Sequence, residues 1–115
     1  MSRRDELFLK DMSEACDKVL RYAQELSRDQ FFADERTYDA VLRNLEIIGE
    51  AAAHVSIGTR AVLPLPWQES VASRNRLAHG YFDIDEIVIW RTATEDVPLL
   101  AQALDAFFDR EARGE

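Results

Sequence analysis

Along nearly all of this 115-residue chain, apolar residues return at alternating steps of three and four, the period of an α-helix with one buried face. The first segment places them at Phe8, Met12, Ala15, Val19, Tyr22 and Leu26, widened by Leu7, Cys16, Leu20 and Ala23. No Gly or Pro interrupts it between Asp5 and Arg28, so it reads as one long helix. The pattern breaks near Asp29, and Phe31-Phe32 are expected to tuck the connection against a core. A second stripe, Tyr38, Val41, Leu45, Ile48, Ala52 and Val55, opens after Asp34. Asp34 suits an N-cap, Glu35 suits the first turn, and Gly58 is expected to end the helix. Residues 59–66 read as a connector. Pro66 then starts a third helix that turns Trp67, Val71, Leu77 and Ala78 inward and stops at Gly80. A turn at Tyr81-Phe82-Asp83 feeds a last helical stretch from about Asp85, with the stripe Ile87, Trp90, Thr94, Val97, Leu100, Leu104 and Phe107. Asp96 and Pro98 are expected to kink or divide it, and Glu111 to Glu115 to fray.

Composition supports the same fold class. Gly (4) and Pro (3) are too few for the many tight turns of a β-sandwich or barrel. The expectation is an all-α bundle of four or five helices in a single domain, 1–115, with an ordered core over about 5–110. Ile87-Val88-Ile89-Trp90 is the one strand-like piece, and it reads as helix in this context. Gly49 and Ala51 to Ala53 make the second helix smooth enough for another helix to approach closely, from this chain or from a second one. No apolar run approaches the ~20 residues of a membrane helix, and the N-terminus lacks the pattern of a signal peptide. A single cysteine, Cys16, permits no internal disulfide and falls on an apolar face. A cytoplasmic protein without a membrane partner is expected.

Fourteen basic residues stand against 22 acidic ones, a net charge of −8 and a pI of about 4.7. That balance disfavours a DNA-binding domain carried by a basic footprint, yet two or three arginines can still bind phosphate locally. The catalytic inventory is short. Two histidines, His54 and His79, and one cysteine offer no zinc spacing, and no Gly-rich loop suits a phosphate, so no metal or cofactor is expected. His54 follows Glu50 by one helical turn and reads as an ordinary helix contact. His79 closes the run Ser73-Arg74-Asn75-Arg76-Leu77-Ala78-His79-Gly80-Tyr81, where polar groups crowd a helix end. Asn75 and His79 share a helix face, whereas Arg74 lies about 140° from His79 at ~100° per residue. Either the arginine arm sweeps round, or His79 leaves the regular helix, or a second chain completes the site. As plain structure, Arg74 and Arg76 would be cations at a helix C-terminus and His79 a cap.

The run Arg74-Asn75-Arg76-Leu77-Ala78-His79-Gly80-Tyr81 resembles the signature of HEPN-domain proteins, and more narrowly that of HepT-like toxins, in which Arg-x4-His is followed by x-Tyr. Glu46-Ile47-Ile48-Gly49-Glu50-Ala51-Ala52, Pro66-Trp67 and Tyr81-Phe82-Asp83-Ile84-Asp85 resemble the family's flanking motifs, so the likeness spans about residues 5 to 110. The resemblance implies a HEPN-type helical bundle, a homodimer, and a metal-independent endoribonuclease toxin. It also implies a partner, the minimal nucleotidyltransferase antitoxin MntA, which silences the toxin by AMP transfer. Carried onto this sequence, it implies Arg74 and His79 as the catalytic pair, Asn75 as a supporting polar residue and Tyr81 as the site of AMPylation. Apart from the resemblance, Arg76 is a further candidate for phosphate or RNA contact. The other reading is a non-catalytic bundle that partners such a nucleotidyltransferase.

Overall fold

The computed structural model describes residues 1–67 and 86–114, and every described secondary-structure element is helical. The first helix, α1, spans Arg3–Ala23, with the Ser2 hydroxyl accepting the Asp5 N–H at 3.0 Å as its N-cap. It ends earlier than the periodicity predicts. Glu25 takes a left-handed φ of 69°, and a short helix, α2 (Arg28–Ala33), follows. Ser27 and Gln30 form a reciprocal capping box there, satisfying two otherwise orphaned donors, a local signal strong enough to start a new helix. Phe31 on α2 is fully buried, as the expected tuck requires.

The buried face of α1 is Asp5, Leu9, Met12, Ala15, Cys16, Val19 and Ala23. Met12, Ala15, Cys16, Val19 and Ala23 match the expected stripe, but Leu9 replaces Phe8 at its head, and Leu7 and Tyr22 are exposed. The reason is that α1 packs against two partners, α3 (Glu35–His54) and α6 (Val97–Ala112), so its centre line is set between them. Cys16 is buried at the middle of this face, and burial pushes its thiol up to about 12, with Asp17 and Asp105 adding to the shift. It behaves as a small hydrophobe.

Helix α3 starts where the sequence places it. Asp34 caps the Thr37 N–H and hydroxyl, bonds that hold the Asp34 carboxyl below its ordinary value. Val41, Leu45, Ile48, Ala52 and Val55 are buried as expected, while Tyr38 is half-buried. Gly49, Ala51 and Ala52 are also buried, so the smooth surface serves packing within this chain, chiefly against α1. The helix ends at His54, before Gly58. Gly58 lies inside a further short helix, α4 (Ile57–Val62), capped by Ser56, so the segment expected to be a plain connector is partly helical. After it, Leu65 N–H reaches Leu63 O and Trp67 N–H reaches Leu65 O, two three-residue turns centred on Pro64 and Pro66, whose fixed φ suits them. The body of the third expected helix, with its Gly80 stop and the turn after it, lies outside the described residues.

The chain is next described from α5 (Glu86–Arg91), which settles the strand-like Ile87 to Trp90 as helix. Between α5 and α6, residues Thr92–Asp96 form a π-helical turn. Pro98 cannot donate to the Thr94 carbonyl, and the widened turn, with Val97 N–H bonded to Thr92 O, carries the helix past that gap. The expected kink therefore takes the form of a π turn. It also rotates the apolar face upstream: Ile89 and Ala93 are buried in place of Ile87 and Thr94, while Val97, Leu100, Leu104 and Phe107 hold. Helix α6 persists to Ala112, beyond where fraying is expected, and Gly114 turns out of it at φ +75°.

Candidate functional site

Arg74, Asn75, Arg76, His79 and Tyr81 lie outside the described residues. The structure defines the scaffold on either side of them, the approach through α3, α4 and Trp67 and the return at Glu86.

The approach is built on one buried carboxylate. Asp5 stands one turn before Leu9 on the buried face of α1. Its Oδ1 accepts the Ser56 N–H at 3.0 Å, and its Oδ2 accepts the Ser56 and Thr59 hydroxyls at 2.5 and 2.6 Å. These bonds, led by the Ser56 hydroxyl and helped by the charge of Arg4, lower its carboxyl to about 2 against the opposing cost of burial. The first turn of α1 is thereby tied to the start of α4. Among the described residues, no buried side-chain polar atom lacks a partner.

On α4, Arg60 reaches back over the C-terminus of α3. Its Nε donates to Val55 O at 2.9 Å, and its Nη2 donates to Ala52 O and Ala53 O at 3.0 and 2.8 Å. Ala52 O also accepts the Val55 N–H at 3.3 Å, and the negative end of the helix dipole favours a cation at these last carbonyls. The Arg60 guanidinium also lies 5.9 Å from the Trp67 ring centroid. Trp67 donates its indole N–H to Leu63 O at 3.1 Å.

Between α1 and α3 lies a shallow groove of about 170 Å³, lined by Phe8, Asp11, Ile47, Glu50, Ala51 and His54. His54 donates from Nδ1 to Glu50 O at 2.8 Å. Its ring stacks on Phe8 at 5.1 Å, and Arg4 lies 5.5 Å from the far ring of that pair. His54 is therefore the exposed helix contact the sequence suggests, with an aromatic neighbour it does not. The motif Glu46 to Ala52 divides by face: Ile48, Gly49, Ala51 and Ala52 are buried, and Glu50 is exposed. Glu46 pairs with Arg43 at 3.3 Å. Among the described residues, no three His, Cys, Asp or Glu side chains are grouped to hold a metal, and no helix is long and apolar enough to cross a membrane.

Sequence reasoning missed Asp5, Thr59 and Arg60. Asp5 carried a signal, because an acid in register with Leu9, Met12, Cys16 and Val19 sits where burial is expected. Thr59 and Arg60 carried none, since they fell in a segment read as a connector.

Comparison with known proteins follows the scaffold closely. The family profile described as "Ribonuclease HepT-like" matches residues 12–107. A protein of Thermococcus cleftensis named "Probable ribonuclease HepT" is 37% identical over 101 residues, covering 87% of this chain and 92% of its own. "Putative RNase MJ1380" of Methanocaldococcus jannaschii is 37% identical over 107 residues, covering 91% of this chain and 98% of its own. A third relative from that organism, named "Gamma-glutamylcyclotransferase and putative RNase MJ0434", is 30% identical over 104 residues, 89% of this chain and 47% of that protein. No solved structure gives a significant match.

Proposed function

The chain belongs to the ribonuclease HepT-like family, and from that premise we propose that it is a metal-independent endoribonuclease, the toxin of a nucleotidyltransferase-paired toxin–antitoxin system. The observation that carries this reading is the family match across residues 12–107. It encloses an uninterrupted Arg74-Asn75-Arg76-Leu77-Ala78-His79-Gly80-Tyr81. RNA brings its own nucleophile. The 2′-hydroxyl attacks the adjacent phosphorus, the bond to the 5′-oxygen breaks, and the products end in a 2′,3′-cyclic phosphate and a 5′-hydroxyl. One proton leaves the 2′-oxygen and one arrives on the 5′-oxygen, so the catalyst must only move protons and bear charge.

His79 serves that proton traffic, since imidazole titrates near neutrality. Arg74 holds phosphate oxygens through its planar fork, with Arg76 as a further phosphate contact, and offsets charge building at phosphorus. Asn75 supports the pair. A homodimer would bring two such sets together, which reconciles a net charge of −8 with an RNA substrate. The packing of Gly49 and Ala52 inside the chain leaves that dimer resting on the site chemistry and the family resemblance. An MntA-like nucleotidyltransferase, acting in the cytoplasm, would silence the toxin by AMP transfer to Tyr81. The added phosphate would compete for Arg74 and the nucleoside would fill the space RNA needs.

The test uses purified full-length chain and cellular RNA, with product ends mapped. The wild type should leave 2′,3′-cyclic phosphate ends. His79→Ala should abolish cleavage with helical content unchanged, and Arg74→Lys should be poor because lysine loses the planar fork. Co-expression with a neighbouring nucleotidyltransferase should add AMP mass to the wild type and none to Tyr81→Phe. Full activity in both site variants overturns the assignment. No cleavage by the wild type, with a stable complex with the nucleotidyltransferase, turns the reading to a non-catalytic partner.

A further inference from the structure

Helix α4 turns an apolar face outward. At ~100° per residue, Ile57, Ala61, Gly58 and Val62 share one arc of about 140°, and all four are exposed. Thr59 and the capping Leu63 point the other way and are buried, with Arg60 half-buried beside them. Ile57 and Val62, 83% and 76% exposed, are the most exposed large apolar side chains among the described residues. Pro64 and Pro66, also exposed, continue the apolar surface toward Trp67. Gly58 is a separate clue. It lies inside the helix without a left-handed φ, and a Cβ built on it would meet nothing within 4 Å. Neither the backbone nor the packing around it asks for glycine, which is a poor helix former.

The face is also electrically quiet. From Ala51 to Gln68 the chain carries no acidic residue, its longest such run, in a protein of net charge −8. The one arginine of the run, Arg60, gives Nε and Nη2 to carbonyls of its own chain and lies against the Trp67 ring. A basic partner would gain no attraction here and would find it on the acidic surfaces instead. A second copy, repelled at those surfaces, meets no repulsion on this one.

We propose that the exposed face of α4 is the surface on which two copies of this chain meet, about a two-fold axis. The face is complementary to itself: Ile57 and Val62 stand at its edges, with Gly58 and Ala61 as a shallow seat between them. Where two such helices cross, each large side chain of one copy covers the small pair of the other, as an isologous contact requires. Glycine at position 58 then has its reason outside the chain, in the close approach of a second helix. The inference rests on the ribonuclease reading for the need of a second chain at the site, and it assigns that chain a surface. The face is small beside the ~800 Å² per partner of a standard interface, so the association is of micromolar strength.

The experiment is sedimentation equilibrium of the full-length chain, without RNA, from about 1 to about 200 µM. The wild type should pass from one chain to two across this range. Ile57→Asp and Val62→Lys should each raise the dimer dissociation constant by about 10-fold or more, because each buries a charge on both copies at once. Both positions are exposed, and each new charge suits its end of the α4 dipole, so helical content and melting temperature at low concentration should hold. Val62→Lys also lowers the net negative charge, so it would strengthen any association governed by bulk repulsion. Leu99→Lys, at an exposed apolar position on α6, should leave the dimer as it is.

A dimer that survives both α4 substitutions, or one weakened equally by Leu99→Lys, overturns the proposal. A wild type that stays monomeric throughout overturns it too. If that monomer binds a co-expressed nucleotidyltransferase and Val62→Lys releases it, the occupant of the face is that protein and not a second copy. Should one α4 variant fail to fold, the other carries the comparison. Cleavage is read separately: a dimer lost on α4 substitution that cuts no RNA keeps this surface while the ribonuclease reading falls, and a monomer that cuts RNA does the reverse.

Discussion

The two ends of α1 are joined to the rest of the molecule by different physics. At its N-terminal end the join is polar: Asp5 accepts from Ser56 and Thr59 in hydrogen bonds of defined direction, and Arg60, one residue on, ties the same short helix to the end of α3. The opposite region, around α2 and the start of α3, is closed by aromatic rings. Phe31 is fully buried and meets Phe32, Tyr38 and Trp90 at centroid distances of 5.0, 5.7 and 5.3 Å. Apolar burial is non-directional and scales with area, so the ring cluster contributes stability. Buried hydrogen bonds contribute less net free energy but fix orientation, because a wrong geometry leaves a charge or donor unsatisfied. The polar join lies where the chain departs toward Arg74 and His79, and the apolar one holds α2 and α5 to α3.

The comparison breaks most readily at Phe31. Phe31→Ala should cost about 3–5 kcal/mol in urea unfolding, with RNA cleavage per folded molecule preserved. A loss below about 1 kcal/mol would mean the aromatic end is not the stabilising one.

A smaller effect on stability, but a distinctive one in pH, is expected at the polar end. The Asp5 carboxyl is lowered to about 2 from its ordinary 3.8, so the folded state binds fewer protons than the unfolded state between those values. Its stabilisation is complete above the ordinary value and is lost as pH falls through about 2. Asp5→Asn should be less stable at neutral pH and should lack this part of the acid decline. Melting temperatures from neutral pH down to about 2 check it; parallel declines in the two proteins would remove the role given to Asp5.

The smallest of the three sharpens the boundary between α1 and α2. Ser27→Ala removes one half of the capping box and should cost about 1 kcal/mol by the same unfolding measurement. No loss would mean that Phe31 burial alone places α2, with the local signal redundant.

These contrasts also explain what could be read ahead of the structure. The Asp34 start of α3 and the buried residues Val41, Leu45, Ile48, Leu100 and Leu104 follow from the helical period and from local capping, and both are written within a few residues of each other. The same holds for the choice of helix over strand at Ile87 to Trp90, and for the family likeness. Helix lengths were less legible. The Ser27–Gln30 box and the Ser56 cap are local signals that a continuous apolar pattern overrode in the reading.

The amino-acid sequence by itself determined the all-α class, most of the core, and the family to which residues 12–107 belong, because period, caps and motif are short-range properties of the chain. Only the tertiary structure decided which stripe of α1 faces inward, since two partner helices choose between Phe8 and Leu9. It alone brought Asp5 to Thr59, separated by 54 residues, and set Arg60 over the end of α3 beside Trp67. Such pairings depend on how helices cross in space, and a cation or carboxylate carries no mark in the sequence of the backbone group it will meet.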